Sequence, residues 1–341
     1  MTGSAAASRG GKVLCYVGLA GHDLRQVTCL PRLLIWIYPR MTQLLASLWP
    51  LFALILGGYV LRRAGFPNAE FWPGAERINY FVLFPALLFS SLAGAPLNSP
   101  ALARVALCVG VVLGVAWLGL IVLRRWLRWP AARFGVFVQS TLRFNTYIGL
   151  ATVGALFGGE GLTLMALLLA ITVPAVNILS VQALTSGGSL NRRAQLLILL
   201  KNPLILACLL GVAANLSGLR LGGGMDNLLT LLAASSLPLG LLCVGAALQP
   251  QNLHGETRAL LISTLVRLAL MPLAAWLLVG LLGMPTMERV TLVLFFALPC
   301  APTAYVLARQ YGGDAHLMAG VITLQTLLAM LTLPVLLLLV L

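Results

Sequence analysis

The stretch LPCAPTA, residues 298–304, places two prolines three positions apart inside an apolar run. Each proline lacks a backbone N–H and clashes with the preceding turn, so the pair predicts an opened helix. Freed backbone groups are tolerated at membrane depth only where protein buries them or a polar cavity receives them. Pro299 lies about 15 Å along the helix from Arg289, roughly halfway across a bilayer core of about 30 Å. The stretch therefore predicts an interrupted helix near the membrane midplane.

The chain around this stretch is too apolar to fold in water. Hydrophobic residues make up 60% of its 341 residues and charged residues 9%, whereas a typical soluble domain has about 25% charged residues. A spanning helix needs about 20 apolar residues, and ten runs qualify. They cover 42–61, 78–93, 100–123, 133–157, 162–184, 195–215, 225–248, 258–282, 289–309 and 316–341. The sequence predicts an all-α polytopic membrane protein with ten transmembrane helices.

Several prolines and glycines in or next to the first five runs recur 153 positions later, in or next to the second five. The pairs are Pro50 and Pro203, Gly58 and Gly211, Gly65 and Gly218, and Pro85 and Pro238; with one extra residue, Gly158-Gly159-Glu160 is answered by Gly312-Gly313-Asp314. Paired glycines indicate close helix contacts or helix ends rather than ligands. Each half has five runs, an odd number, so the second half enters the membrane from the opposite side. This predicts two inverted five-helix repeats, 41–187 and 188–341.

Residues 1–40 do not fit this repeat. They carry basic residues on the side that the topology places outside, and they lack the pattern of a signal peptide. Met41 immediately precedes the first spanning run. We expect 1–40 to be an N-terminal extension outside the functional core; a disordered or weakly membrane-associated tail is the alternative.

Basic residues predict the orientation. Connections after the odd-numbered runs carry twelve: Arg62, Arg63, Arg77, Arg124, Arg125, Arg128, Arg133, Arg192, Arg193, Lys201, Arg258 and Arg309. The opposite side carries three: Arg104, Arg220 and Arg289. Positive residues concentrate on the cytoplasmic side, so we predict a multi-pass protein of the cytoplasmic (inner) membrane with its C-terminus outside. The net charge of +14 is therefore an orientation signal, and nucleic acid is not an expected partner.

A polar stretch occupies the corresponding place in the first half. Shifted back by 154 positions, Pro299 corresponds to Asn145, within RFNTYIG, residues 143–149. Asn145 lies about 18 Å from Arg133, again near the midplane. Both interruptions therefore predict one substrate site, although simple proline kinks or an asparagine bonded to a neighbouring helix are alternatives. The candidate substrate-binding residues are Arg143, Asn145, Thr146, Gly149, Pro299, Pro302 and Arg267.

Two of these candidates are deeply placed arginines. Arg143 and Arg267 each lie about 14–15 Å from a cytoplasmic boundary, where a charge normally faces a cavity or a partner. None of the eight acidic residues lies deep in a run, and Glu76, at the entrance to the second run, comes nearest. A carboxylate substrate would supply the missing charge. The alternative is that one or both arginines bond the carbonyls of broken helices.

The predicted function is a secondary transporter, or permease, that moves small organic anions outward by alternating access. The expected substrates are carboxylates, either mono- or dicarboxylates. Half-helix N-termini suit an anion, and the membrane potential drives it outward by about 2.3 kcal/mol per charge per 100 mV. A proton- or sodium-coupled symporter is the alternative, disfavoured because such transporters commonly use a buried carboxylate. Neither the three histidines nor the six cysteines form a catalytic or metal pattern, so no enzyme activity, cofactor or metal is expected. The lipid bilayer is an expected partner. Whether two copies of the chain form a homodimer is a question that the sequence leaves open.

At these residues the chain resembles the auxin efflux carrier family, bacterial permeases related to the PIN-type carriers of plants. The resembling stretches are 79–89, 143–149 with 155–158, 201–207, 237–241 and 298–302. The resemblance implies that the fourth and ninth helices cross and unwind beside the substrate, and that runs 3–5 and 8–10 move against runs 1, 2, 6 and 7. It matches Asn145 to the family's crossover asparagine, and Pro299 and Pro302 to its ninth-helix prolines. One departure is Leu150, since the family usually has a proline soon after the preceding glycine.

Overall fold

Helices make up nearly all of the chain that the computed structural model describes, which is residues 8–9, 12–13, 32–95, 101–184, 201–219, 222–253 and 256–340. They are α1 (Arg32–Arg63), α2 (Phe71–Ile78), α3 (Phe84–Ala93), α4 (Ala101–Leu127), α5 (Ala131–Leu142), α6 (Thr146–Leu184), α7 (Pro203–Ser217), α8 (Met225–Ala246), α9 (Thr257–Leu265), α10 (Met271–Leu281), α11 (Thr286–Ala297), α12 (Thr303–Gln310) and α13 (Ala315–Val340). Two π-helical turns, Asn79–Leu83 and Val266–Leu270, join α2 to α3 and α9 to α10, and Pro250–Leu253 is a 3₁₀ turn. The strands β1 (Ser8–Arg9) and β2 (Lys12–Val13) form one short antiparallel pair. The predicted helical class is confirmed for the rest of the described chain.

In the described part of the chain, five segments are long and apolar enough to cross a membrane. They are Ala103–Leu127, Ala131–Leu184, Met225–Ala246, Thr257–Leu281 and Ala315–Val340. The second has 54 residues and would extend about 81 Å as one straight helix, far more than a bilayer core of about 30 Å. It is interrupted at 143–145 and again at Gly158, so it is too long for a single crossing. Helix covers most of the described part of each of the ten predicted runs, with the interruptions at 143–145 and 298–302, and ten crossings stay a prediction.

The predicted start of the first half is not marked by a helix end. The first helix, α1, begins at Arg32 and continues through Met41, so it starts before the proposed core. The division between 187 and 188 lies outside the described residues. The assignment of 1–40 as an extension therefore stays a prediction.

Close helix contacts occur at the same places in both halves. A Cβ atom on Gly58 would collide with the carbonyl oxygen of Leu242, and one on Gly211 would lie 2.9 Å from the carbonyl oxygen of Phe89. Gly58 and Gly211 are 153 positions apart, and so are Phe89 and Leu242. Each contact is therefore the counterpart of the other, which supports a common packing pattern in the two halves.

Equivalent glycines also end equivalent helices. Gly65 follows α1 with φ +74°, and Gly218 follows α7 with φ +67°. Gly158 divides α6 with φ +59°, and Gly312 follows α12 with φ +70°. Left-handed backbone of this kind favours glycine because it has no Cβ atom. The prediction that the paired glycines serve helix contacts and helix ends is confirmed.

The helices pack in two groups that meet along α6 and, between α1 and α13, at a second contact. In one group, α1 packs on α8, and α3 packs on both α7 and α8. In the other, α5 packs on α6, α4 packs on α5 and α10, and α13 packs on α11 and α12. These groups correspond to runs 1, 2, 6 and 7 and to runs 3–5 and 8–10, the division that the family resemblance implies.

Candidate functional site

Both predicted interruptions are present in the backbone. In the first half, α5 ends at Leu142 and α6 begins at Thr146, which leaves 143–145 outside any helix. In the second half, α11 ends at Ala297 and α12 begins at Thr303, which leaves 298–302 outside. We call 143–145 the first break and 298–302 the second break. The first break forms without a proline.

The two breaks contact each other through equivalent residues. The backbone N–H of Asn145 donates a hydrogen bond of 2.8 Å to the carbonyl oxygen of Pro299. These two residues are the pair related by the 154-position shift. A residue that touches its own counterpart must lie on any two-fold axis that relates the halves. The breaks therefore meet where such an axis would pass.

Arg267 replaces the hydrogen bonds that the two prolines remove. In a continuous helix, the carbonyls of Phe295 and Leu298 would accept from the N–H groups four residues later, at positions 299 and 302. Both positions are proline and have no N–H. Instead, Arg267 Nη2 donates to the Phe295 carbonyl at 3.2 Å, and Nε donates to the Leu298 carbonyl at 2.5 Å.

The same arginine also reaches the first break. Its Nη1 donates to the carbonyl of Thr141 at 2.7 Å, whose helical donor would have been the N–H of Asn145. Arg267 is completely buried in the π-helical turn Val266–Leu270. Its guanidinium binds backbone carbonyls at or beside both breaks and does not line the cavity. This is the alternative stated for the deep arginines, that they bond the carbonyls of broken helices.

Gln325 on α13 is a second buried support, which the sequence analysis missed. Its Oε1 accepts a 2.9 Å hydrogen bond from the N–H of Cys300. Its Nε2 donates to the carbonyls of Ser140, at 3.4 Å, and Ser263, at 3.3 Å. One side chain thus joins the second break to α5 and α9. A single amide inside the apolar run 316–341 is the signal that could have found it.

A cavity of about 60 Å³ opens beside the two breaks. It is lined by Glu76, Tyr80, Phe84, Arg143, Phe144, Asn145, Thr146, Tyr147, Val173, Val176, Asn177, Asn202, Leu204, Ala301, Pro302 and Thr303. This volume exceeds the minimum of about 10–15 Å³ that a cavity needs to hold a water, so the cavity has room for water or a small anion. Residues of both helix groups contribute to its wall.

Two hydrogen-bond donors in this wall have no partner within the described residues. The side chain of Arg143 donates from Nη2 to Thr303 Oγ1 at 3.4 Å, while its Nη1 is buried and unbonded. Asn145 accepts at Oδ1 from the N–H of Ile148, which caps α6, while its Nδ2 is buried and unbonded. Buried polar groups are nearly always paired. Both residues line the cavity, and their two unpaired donors are the features of its wall that call for a partner.

A carboxylate shares this cavity. Glu76, Tyr80 and Phe84 follow one another at four-residue spacing and line it together, as expected for one face of a helix. Glu76 is half-buried. In the part of the chain that is described, the two ion pairs are Arg104–Glu288 and Arg133–Glu256, so Glu76 has no basic partner there. Glu76 is the acidic residue that the sequence analysis singled out as nearest to the interior of a run, and it lines the same cavity as Arg143.

Four of the seven predicted site residues line the cavity: Arg143, Asn145, Thr146 and Pro302. Arg267, Pro299 and Gly149 do not. Pro299 supplies the carbonyl that accepts from the backbone of Asn145. Gly149 is a packing position, because a Cβ atom there would contact the side chains of Met165 and Leu298.

Several lining residues were not predicted, among them Tyr80, Tyr147, Asn177, Asn202 and Thr303. For Asn202 the sequence did carry a signal, because an asparagine directly before a proline is a common helix start. In the structure its Oδ1 accepts from the N–H groups of Leu204 and Ile205 at the beginning of α7.

Known proteins similar to this chain are membrane transporters. The family described as "Membrane transport protein", which is that of the auxin efflux carriers, matches residues 190–337. An uncharacterized transporter of Methanothermobacter thermautotrophicus is 27% identical over 299 residues, which cover 82% of this chain and 93% of that protein. The family resemblance seen in the sequence is thereby confirmed. Together with the apolar helices, these matches indicate a multi-pass membrane protein with a role in transport rather than catalysis.

Proposed function

We propose that this membrane transport protein is a permease that exports small organic anions, such as mono- or dicarboxylates, by alternating access. The observation that carries the proposal is the pair of unbonded donors in one cavity, Arg143 Nη1 and Asn145 Nδ2. Both belong to the first break, beside its contact with the second.

The charge of this pair favours a carboxylate. A guanidinium binds a carboxylate through charge-assisted hydrogen bonds, often two at once. The helices α6 and α12 both begin at the cavity, with Thr146 and Thr303 in its wall. Their N-terminal ends carry partial positive charge, so they add to the attraction for an anion.

The packing supports a route for alternating access. Glu76 and Asn202 reach the cavity from the group of α1–α3, α7 and α8, while Arg143 and Thr303 reach it from the other group. A shift of one group against the other would therefore change which side of the cavity is open. We propose ten crossings in two inverted repeats, with the C-terminus outside the cytoplasmic membrane, as the basic residues predict.

The membrane potential suffices to drive this export. With a negative interior, about 2.3 kcal/mol per charge per 100 mV acts on an anion in the outward direction. Transport of the anion therefore needs no coupled ion. Flux should follow an imposed potential and should not depend on a sodium gradient.

A proton-coupled transporter is the second candidate, and Glu76 is the observation that favours it. A carboxylate in the wall of the same cavity as Arg143 is the kind of group that proton-driven carriers use. In that case Glu76→Gln would abolish the dependence of flux on a pH gradient. Under the anion-uniport proposal, wild-type flux at zero potential shows no such dependence.

Reconstituted protein tests the proposal. Vesicles are loaded with a panel of radiolabelled mono- and dicarboxylates, and efflux is measured under an imposed inside-negative potential. Arg143→Ala and Asn145→Ala should each lower efflux roughly tenfold or more, since a hydrogen bond to a charged group contributes about 1.5–3 kcal/mol. Arg309→Ala, which removes the same charge from an exposed position on α12, is the control. Wild-type efflux in both site variants would contradict the assignment.

A further inference from the structure

Three arginines surround a cleft at the end of α4, far from the central cavity. The cleft has a volume of about 390 Å³ and is lined by Ile121, Arg124, Arg125, Arg128 and Trp129. In the chain as described, the acidic partners of ion pairs belong to Arg104 and Arg133. None of the three cleft arginines is neutralised there.

The cleft stands at the end of a continuous apolar stripe. The side chains of Leu107, Val111, Val115, Leu118, Val122 and Trp126 are between 41% and 78% exposed. Their spacing of three or four residues places them on one face of α4. From 107 to 126 the stripe extends about 28 Å, close to the thickness of a bilayer core. Its end at Trp126 therefore lies at headgroup depth, where tryptophan is enriched.

Aromatic rings hold the cleft in shape. The guanidinium of Arg124 lies 4.7 Å from the ring centroid of Phe134. The ring of Trp129 stacks on Phe137 with centroids 4.2 Å apart and an interplanar angle of 23°. One wall of the cleft is thus fixed to α5, and Arg125 and Arg128 remain exposed.

Arg128 occupies a backbone position that usually belongs to glycine. It has φ +51°, directly after α4 ends at Leu127. The N–H of Trp129 donates to the carbonyl of Arg124 at 3.2 Å, which is the helix-ending motif in which glycine is preferred at this place. A side chain in left-handed backbone is strained and persists where the surroundings require it. The backbone at position 128 favours glycine, so the arginine is explained if its guanidinium binds a ligand.

We propose that this cleft binds the phosphate of an anionic phospholipid, with the acyl chains along the exposed stripe of α4. Arginines bind phosphate through charge-assisted hydrogen bonds, and the apolar stripe provides the hydrocarbon contact that a free phosphate lacks. On the topology proposed above, the cleft faces the cytoplasmic leaflet, where anionic lipids attract basic residues.

Native mass spectrometry of the purified full chain tests this proposal. The protein is titrated with phosphatidylglycerol, and separately with phosphatidylcholine of the same acyl chains. The variant Arg125→Gln/Arg128→Asn should bind phosphatidylglycerol roughly tenfold more weakly than the wild type, with no change for phosphatidylcholine. Asparagine suits the left-handed position at 128. Arg62→Gln/Arg63→Gln, at the exposed end of α1, is the control and should bind like the wild type.

A single substitution separates binding from folding. Arg128→Gly should raise the apparent Tm, since glycine relieves the left-handed backbone, and should weaken phosphatidylglycerol binding. The proposal is overturned if the double variant binds phosphatidylglycerol like the wild type, or if the α1 control loses as much binding. It is also overturned if inorganic phosphate displaces the lipid at millimolar concentration, because the cleft would then be a site for free phosphate.

Discussion

The two breaks occupy equivalent positions in the two halves but differ in whether their polar groups have hydrogen-bond partners. The second break has two prolines, spans 298–302, and has its freed carbonyls and the N–H of Cys300 satisfied by Arg267 and Gln325. The first break spans 143–145, has no proline, and keeps two donors of its own without a partner, at Arg143 and Asn145. The second break is thus satisfied by other parts of the protein, whereas the first break keeps unpaired donors on two residues that line the cavity.

This difference shows how one half of a repeat can specialise in support. From Pro299 onward the shift between the halves is 154 positions, so Gln325 corresponds to Ile171, which has no polar side chain. Arg267 lies between the regions of the 153- and 154-position shifts and corresponds to Gly114 or Leu113, which have no polar side chain either. Among the described residues, these two buried supports therefore come from the second half, and they hold both breaks in contact. The two unpaired donors, on Arg143 and Asn145, belong to the first half.

Removal of Arg267 should have the largest effect on stability. Arg267→Met leaves the carbonyls of Thr141 and Leu298 without a donor, while that of Phe295 keeps only a long bond of 3.4 Å from the N–H of Leu298. Each carbonyl without a donor costs about 1–3 kcal/mol, before the gain from no longer burying a charge. We expect a net loss of about 3 kcal/mol, or roughly 6–12 °C in apparent Tm at 2–4 °C per kcal/mol. Thermal unfolding in detergent measures it, with Arg309→Met as the exposed control. An unchanged Tm would show that the second break does not depend on this arginine.

Removal of Gln325 should have a smaller effect of the same kind. Gln325→Met keeps the side-chain volume close to the original but leaves the N–H of Cys300 buried and unbonded, at a cost of about 1–3 kcal/mol. Its two long hydrogen bonds to carbonyls, at 3.3 and 3.4 Å, add little. The apparent Tm should fall by less than in Arg267→Met. A larger fall than in that variant would reverse the ranking of the two supports.

Asn145 allows the cap and the open donor to be separated. Asn145→Ser keeps an oxygen that caps α6, so stability should change by less than about 0.5 kcal/mol. It removes the Nδ2 donor, so carboxylate efflux should fall roughly tenfold. Asn145→Ala should add the loss of the cap, about 1 kcal/mol. If the serine variant transports like the wild type, the amide donor does not contact the substrate.

The prolines of the second break should matter least. In Pro302→Ala the new N–H meets a Leu298 carbonyl that Arg267 already binds. The break should therefore persist, with a stability change within about 1 kcal/mol and near-normal efflux. Thermal unfolding and efflux of the same preparation check both expectations. A loss comparable to that of Arg267→Met would mean that the proline itself, and not the arginine, maintains the break.

The sequence predicted the positions of the breaks better than their surroundings. The two prolines and the 154-position shift predicted where the helices open and that Asn145 occupies the position corresponding to Pro299; the hydrogen bond between the two was not predicted. They did so because backbone hydrogen bonding is local and a missing N–H is visible in the sequence. The partners of Arg267 and Gln325 lie on other helices. In a membrane helix the lipid-facing and buried faces are both apolar, so periodicity does not show which face points inward.

Glu76 illustrates the same limit. Its place at the entrance to the second run was evident from the sequence, but its share in the cavity depends on how α2 packs against the first break. The four-residue spacing to Tyr80 and Phe84 predicts a common face and leaves the neighbour of that face undetermined. The packing of distant segments, and not the local sequence pattern, brings Glu76 to the cavity.

In the proposed site, Arg143 donates a hydrogen bond to the substrate and does not serve mainly to hold the fold together. One measurement separates these two roles. The apparent Tm of wild type, Arg143→Gln and Arg309→Gln is measured with increasing concentrations of the carboxylate that stabilises the wild type most, since a bound ligand raises stability. We predict that Arg143→Gln keeps the unliganded Tm within about 2 °C and needs roughly tenfold or more carboxylate for the same shift, while Arg309→Gln behaves like the wild type. An unchanged carboxylate response in Arg143→Gln, or a collapse of its unliganded Tm, would contradict the account.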